Sequence, residues 1–203
     1  MGNAKGLSRS NCAILALILL APSPAAAEQC LPYDQLEPDE TPRDFRQLRH
    51  VPSLSKPLLS AGVMAASDSS LVWQVCNPFD IRTVIDADGV TQSVEGEPAT
   101  AVGPDMLQDM IRQISIADIF RGRFDQLENV FDIDPARPLA SDGNWKVALT
   151  PRAEAVSSIV SRIDVEGCRT VDRIRISYRS GGWDDIQVGP GLTMKGPARC
   201  PTE

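Results

Sequence analysis

Along most of this chain apolar and polar positions alternate with a period of two, the mark of strands that bury one face. Leu71, Trp73 and Val75 alternate in this way, then Ile81, Thr83 and Ile85, then Val90, Gln92 and Val94. The pattern returns with Leu127, Asn129, Phe131 and Ile133, and again with Trp145, Val147 and Leu149. Its clearest instance sets Ile174, Ile176 and Tyr178 against Arg173, Arg175, Ser177 and Arg179 on the opposite face. Asp88-Gly89 predicts a two-residue hairpin turn in which the glycine takes the positive φ of type I′. Ser180-Gly181-Gly182 predicts a second hairpin, into Trp183–Val188. Over 153–163 a helical stripe (Ala153, Val156, Val160, Ile163) overlaps a strand pattern, which predicts a helical turn running into a strand.

One segment departs from the period of two. Pro104 suits the first position of a helix and Asp105 its positive end. Met106, Leu107, Met110, Ile111 and Ile114 then share one face, Ile116, Ile119 and Phe120 extend it, and Gly122 offers a stop. The chain therefore reads as mainly β (α+β): an antiparallel sheet of about ten strands interrupted by one helix over 104–120. A sheet with one apolar face needs a cover, and this helix is the one long amphipathic element. Its methionines are flexible and polarisable, suited to repacking around a guest; the same spacing also fits a plain core plug.

The first 27 residues read as an address. Lys5 and Arg9 precede an apolar run from Cys12 to Ala21, and Ala25-Ala26-Ala27 supplies a small-residue cleavage site. That run is about half of the roughly 20 residues that span a bilayer. The expected organisation is a signal peptide over 1–27, an extended Pro-rich lead-in over 28–43, a folded domain over 44–190 and a tail over 191–203. Gln29 precedes Cys30, so lipidation is not expected. Without the signal peptide, Cys30, Cys76, Cys168 and Cys200 remain, an even number that reads as two disulfides in an oxidising compartment. Three pairings are open; joining Cys30 to Cys200 would tie down both ends and is preferred.

Composition narrows the chemistry. The chain has 27 acidic and 20 basic residues, one histidine and a net charge of −7, with no basic block to neutralise phosphates, so no nucleic-acid partner is expected. With His50 as the one histidine, neither a histidine-based zinc site nor a Ser-His-Asp triad is expected, and no G-x-S-x-G elbow is present. Asp184 and Asp185 are adjacent on a strand pattern, so their side chains face opposite sides and cannot converge. Asp86-Ala87-Asp88-Gly89 with Glu95 resembles the middle of a calcium loop, but Val84 occupies the first ligand position and the flanks are strands, which favours a hairpin. No enzyme activity, metal or cofactor is expected. Arg43, Arg46 and Arg49 around Phe45 would line one face of a helix; in a strand, Phe45, Gln47 and Arg49 share a side.

The order of several short motifs adds a resemblance. These are Phe45-Arg46-Gln47-Leu48-Arg49-His50, then Ser55-Lys56-Pro57-Leu58-Leu59-Ser60-Ala61-Gly62, then Leu71-Val72-Trp73 with Pro78. Ile119-Phe120-Arg121-Gly122 with Leu127 and Phe131 follows, and then Trp145-Lys146-Val147-Ala148-Leu149-Thr150-Pro151. Running from about 44 to 188, this series resembles the periplasmic outer-membrane lipoprotein carrier (LolA-like) family. One departure is that Ser67-Asp68-Ser69 stands where members carry an Arg-Pro pair. The resemblance implies an unclosed antiparallel β-barrel with helices covering its concave apolar face. It also implies a monomeric periplasmic carrier of lipoprotein or related acyl chains, loaded by an inner-membrane transporter and unloaded to an outer-membrane acceptor. The 104–120 helix would be the lid. The residues expected to line the cavity are Phe45, Val63, Trp73, Met106, Met110, Ile111, Ile114, Phe131 and Trp145. The alternative is a protein-binding or sensing module on the same fold, without lipid.

Overall fold

The computed structural model describes residue 2 and residues 30–36, 40–103, 116–134 and 144–189. The expected signal peptide, the tail over 191–203 with Cys200, and the helix up to residue 115, with Met106, Met110, Ile111 and Ile114, lie outside the described residues.

The chain forms strands β1 (Arg43–His50), β2 (Leu58–Ala66), β3 (Ser70–Asn77), β4 (Ile81–Asp86), β5 (Gly89–Val94) and β6 (Thr100–Ala101), of which β3, β4 and β5 coincide with the alternating runs. Helix α1 (Ile116–Phe120) and a 3-10 turn (Phe124–Leu127) separate these from β7 (Phe131–Asp134) and β8 (Trp145–Pro151). Helix α2 (Glu154–Ser157), β9 (Val160–Gly167), β10 (Val171–Tyr178) and β11 (Trp183–Val188) complete the order. All eleven strands join one sheet in the order β6-β5-β4-β3-β2-β1-β11-β10-β9-β8-β7. Two meanders thus meet where β1 pairs antiparallel with β11, Phe45 opposite Val188 and Arg49 opposite Asp184. The end strands β6 and β7 do not pair, so the sheet is open.

Register lines up large apolar residues of neighbouring strands on one side of the sheet. Val188, Phe45, Gly62, Val75 and Ile81 form one continuous row across β11, β1, β2, β3 and β4. In the other meander Ile174 and Ile176 lie beside Val165 and Ile163, which lie beside Val147 and Leu149. Onto this face pack Ile119, Phe120, Phe124 and Leu127, all buried. Phe120 meets Trp73 of β3 at 5.5 Å between ring centroids, while Phe124 meets Trp145 of β8 at 5.9 Å. One short stretch therefore bridges strands six places apart, roughly 29 Å in a flat sheet at about 4.8 Å per strand. Curling brings both within its reach and makes the apolar face the concave one.

A bulge helps the curl. Between β2 and β3 the register shifts at Ala61/Gly62, so Cys76 is an extra residue. A β-carbon on Gly62 would lie 1.8 Å from the Gln74 carbonyl oxygen, so the close approach of these strands needs glycine.

Several local expectations shift. The β4–β5 hairpin forms, but Asp86 pairs with Gly89 and the turn residues are Ala87 and Asp88. The positive φ, 131°, belongs to Gly89, after the turn, so type I′ is not adopted. Asp86 also accepts a bond from the Asp88 amide, an Asx-type closure. Leu127 ends a 3-10 turn, so the strand there begins at Phe131. The expected helical turn and strand over 153–163 are present as α2 and β9. The preferred Cys30–Cys200 pairing is overturned: Cys30 bonds Cys168, with α-carbons 4.4 Å apart. Leu31 donates to the Cys168 carbonyl beside it, and Tyr33, in a 3-10 turn, rests against Phe124. The lead-in is therefore docked on the sheet, which draws Cys30 to the β9–β10 turn. Cys76 is also disulfide-bonded.

Candidate ligand pocket on the concave face

The two halves of the concave face are filled differently. Over β7–β11, Phe131, Val147, Leu149, Ile163, Val165 and Ile174 are sealed beneath the 3-10 turn and α2. Over β1–β5, α1 ends on Trp73, and further along the strands no described element lies on the sheet. There a pocket of about 550 Å³ opens, lined by Gln47, Arg49, Leu58, Leu59, Ser60, Trp73, Val75, Pro78, Phe79, Ile81, Thr83 and Gln92. Its volume is in the range of roughly 300–1,000 Å³ that small-molecule sites occupy.

The pocket is apolar along its floor and polar at defined points. Trp73, Val75 and Ile81 form the floor, and Leu58 and Phe79, 53% and 62% exposed, leave apolar surface in contact with water. Two polar pairs are satisfied within the wall: Ser60 donates to Gln47 at 3.4 Å, and Gln92 donates to Thr83 at 3.1 Å. The one charged lining residue among those described is Arg49, which β1 places on the same side as Phe45 and Gln47. Its Nε and Nη2 donate to the two carboxylate oxygens of Asp184, at 2.8 and 3.0 Å. Tyr178 donates its hydroxyl to the same carboxylate at 2.7 Å. The Asp184 hydrogen bond raises the Arg49 pKa above its usual value and outweighs desolvation, so the guanidinium stays charged. Burial, with the nearby Asp184 charge, pushes the Tyr178 hydroxyl up, which keeps it a donor.

An ionic cluster fastens the end of α1 to the β2–β3 turn, at the other end of these strands from the pocket. Buried Arg121 reaches Asp68 at 2.6 Å, the Ser67 carbonyl at 3.3 Å and Glu40 at 3.8 Å. Arg123 bonds Asp118 and, at 3.1 Å, Asp68. Hydrogen bonding from Arg121, then the charges of both arginines, hold the Asp68 carboxyl below its usual range.

The residues expected to line a cavity separate. Trp73 lines the pocket. Phe45 is fully buried beneath it, ring centroids 3.9 Å apart. Phe131 and Trp145 belong to the packed half, Trp145 donating its indole N–H to the Cys168 carbonyl. Val63 pairs with Asp44 and Gln74 on the opposite, convex face; its neighbour Met64 turns inward instead, because side chains alternate along a strand. The Arg49–Asp184–Tyr178 cluster was not anticipated. Its sequence signal was the parity already noted: Asp184 faces the concave side, and Asp185 the convex side, bonded to Arg173 at 2.9 Å.

Compared by sequence, the chain matches no family model and no curated protein. Compared by structure, it is similar to a LolA superfamily protein from Nitrosomonas europaea, at 9% identity and a TM-score of 0.43 over 77% of this chain and 88% of that one. It is also similar to a DUF1329 family protein from Desulfovibrio piger, at 9% identity and a TM-score of 0.38 over 75% and 86%. A domain from Vibrio parahaemolyticus described as outer membrane lipoprotein-sorting aligns at 5% identity and a TM-score of 0.38 over 78% and 89%. At these values the likeness concerns the course of the chain, and the functional reading rests on the pocket.

Proposed function

We propose that this protein is a periplasmic carrier that holds acyl chains of lipoproteins or related lipids on its concave face and delivers them toward the outer membrane. The observation that carries this reading is an apolar-floored pocket of about 550 Å³ on the half of the sheet that α1 leaves uncovered, with Leu58 and Phe79 exposed on its lining. An acyl chain gains roughly 0.8 kcal/mol per buried methylene, so a floor of Trp73, Val75 and Ile81 suits it better than a polar solute. The Cys30–Cys168 bond fits an oxidising compartment. Release to an acceptor would be a population shift driven by competing affinity.

The test is mass spectrometry of organic extracts from protein purified from the periplasm. Stoichiometric lipid is expected, and its loss is expected in Thr83→Phe, which pushes a ring into the pocket, with circular dichroism confirming the fold. Protein that never carries lipid, even after incubation with fatty-acid vesicles, would favour the protein-binding module instead.

A further inference from the structure

Among the described residues, Arg49 is the one cation in the wall of the pocket. Its partner Asp184 is 2% exposed and lies behind it in β11, whereas the Arg49 side chain is 54% exposed. The bidentate bond uses Nε and Nη2. A guanidinium has five N–H donors in a rigid fork, so this clamp leaves three, and no described residue accepts from Nη1. Tyr178 takes up part of the charge of Asp184 through its own hydrogen bond. Asp184 therefore orients the guanidinium from the buried side and leaves its outer edge to the pocket. Across β1 and β2, Arg49 lies opposite Leu58, whose apolar side chain also lines the pocket. A charged fork beside an apolar wall is complementary to a molecule with an anion at one end and a hydrocarbon at the other.

We propose that Arg49 anchors the headgroup of the ligand and that the pocket selects amphiphiles with an anionic head, a carboxylate or a phosphate. This rests on the carrier reading and narrows its cargo from lipoproteins to the related lipids, because an acyl chain linked to a protein as an ester or amide has no such head. The chain would lie along Val75, Ile81 and Trp73 with its head at Arg49. Asp184 and Tyr178 act through Arg49 as positioning residues.

The experiment is a fluorescence titration with cis-parinaric acid and with its methyl ester, on the wild-type protein and on Arg49→Gln. The acid is expected to bind about tenfold more tightly than the ester, about 1.4 kcal/mol, and Arg49→Gln is expected to bring the acid down to the level of the ester. Displacement of the probe by a free fatty acid and by a lysophosphatidic acid distinguishes the two anionic heads; the one that loses its advantage in Arg49→Gln is the selected head. Equal binding of acid and ester to the wild type, or a preference that survives in Arg49→Gln, would overturn the headgroup assignment and leave the carrier reading standing. Failure of both probes to bind would overturn the two together. Should Arg49→Gln fail to fold, added salt on the wild type serves instead: the preference for the acid is expected to fall as ionic strength rises, and a salt-independent preference overturns the assignment.

Discussion

Asp184 and Asp185 show how much one position along a strand decides. Both are almost fully buried, yet one braces the pocket through Arg49 and Tyr178 and the other ties the convex face through Arg173 and Arg175. Burial alone would raise the Asp185 carboxyl, but the hydrogen bond and charge of Arg173, with Arg175, hold it below the usual range. A folded value below the unfolded one means that the unfolded chain binds more protons in that window. The stabilisation is therefore full above the unfolded carboxylate value of about 3.9 and is lost as pH falls through the folded value. Urea midpoints measured from about pH 6 downward should fall less steeply in Asp185→Asn than in the wild type, with Asp68 contributing the same sign in both. An unchanged slope would count against this assignment. Gly62 gives a steric prediction at the same scale. Gly62→Ala places a β-carbon against the Gln74 carbonyl, and overpacking of this kind typically costs about 1–3 kcal/mol, measurable as a lower denaturation midpoint. None of these partnerships was readable from residue types alone; only the parity of Asp184 and Asp185 was.

At the scale of elements, the period of two carried most of the strands, because a half-buried antiparallel strand writes its face directly into alternate residues. It was weaker where the chain turns. The segment from Leu127 alternates but packs first as a 3-10 turn, since Leu127 and Phe124 fill the sheet from above. The lead-in offered only prolines to read, and its docking depends on a disulfide to residue 168 that spacing could not choose. Closing a loop of 138 residues restricts the unfolded chain strongly, and removing such a bond typically costs about 2–5 kcal/mol. The Cys30→Ser, Cys168→Ser double variant should lose that much in guanidinium denaturation and should exchange the Leu31 amide, which bonds the Cys168 carbonyl, faster than the wild type. Persistent protection of Leu31 would show that Tyr33 and its neighbours hold the lead-in without the bond.

Among the described residues, the molecule is one curled sheet with a filled half and a partly open half. Because only the folded form has the pocket, a bound ligand should stabilise it by mass action. A fatty acid at about 100 times its dissociation constant is expected to add about 2.7 kcal/mol, seen as a higher melting temperature that tracks ligand concentration. No shift with any fatty acid would argue against a ligand pocket. The alternation along the chain determined by itself that this would be an antiparallel sheet with one apolar face, because the pleat assigns successive side chains to opposite sides. Tertiary structure alone decided which part of that face is core and which is cavity. That depends on where α1 stops against Trp73, on how the bulge at Gly62 curls the strands, and on Arg49 meeting Asp184 across 135 positions of sequence. Such long-range geometry leaves no periodic trace, because it comes from packing between elements and not from the repeat within any one of them.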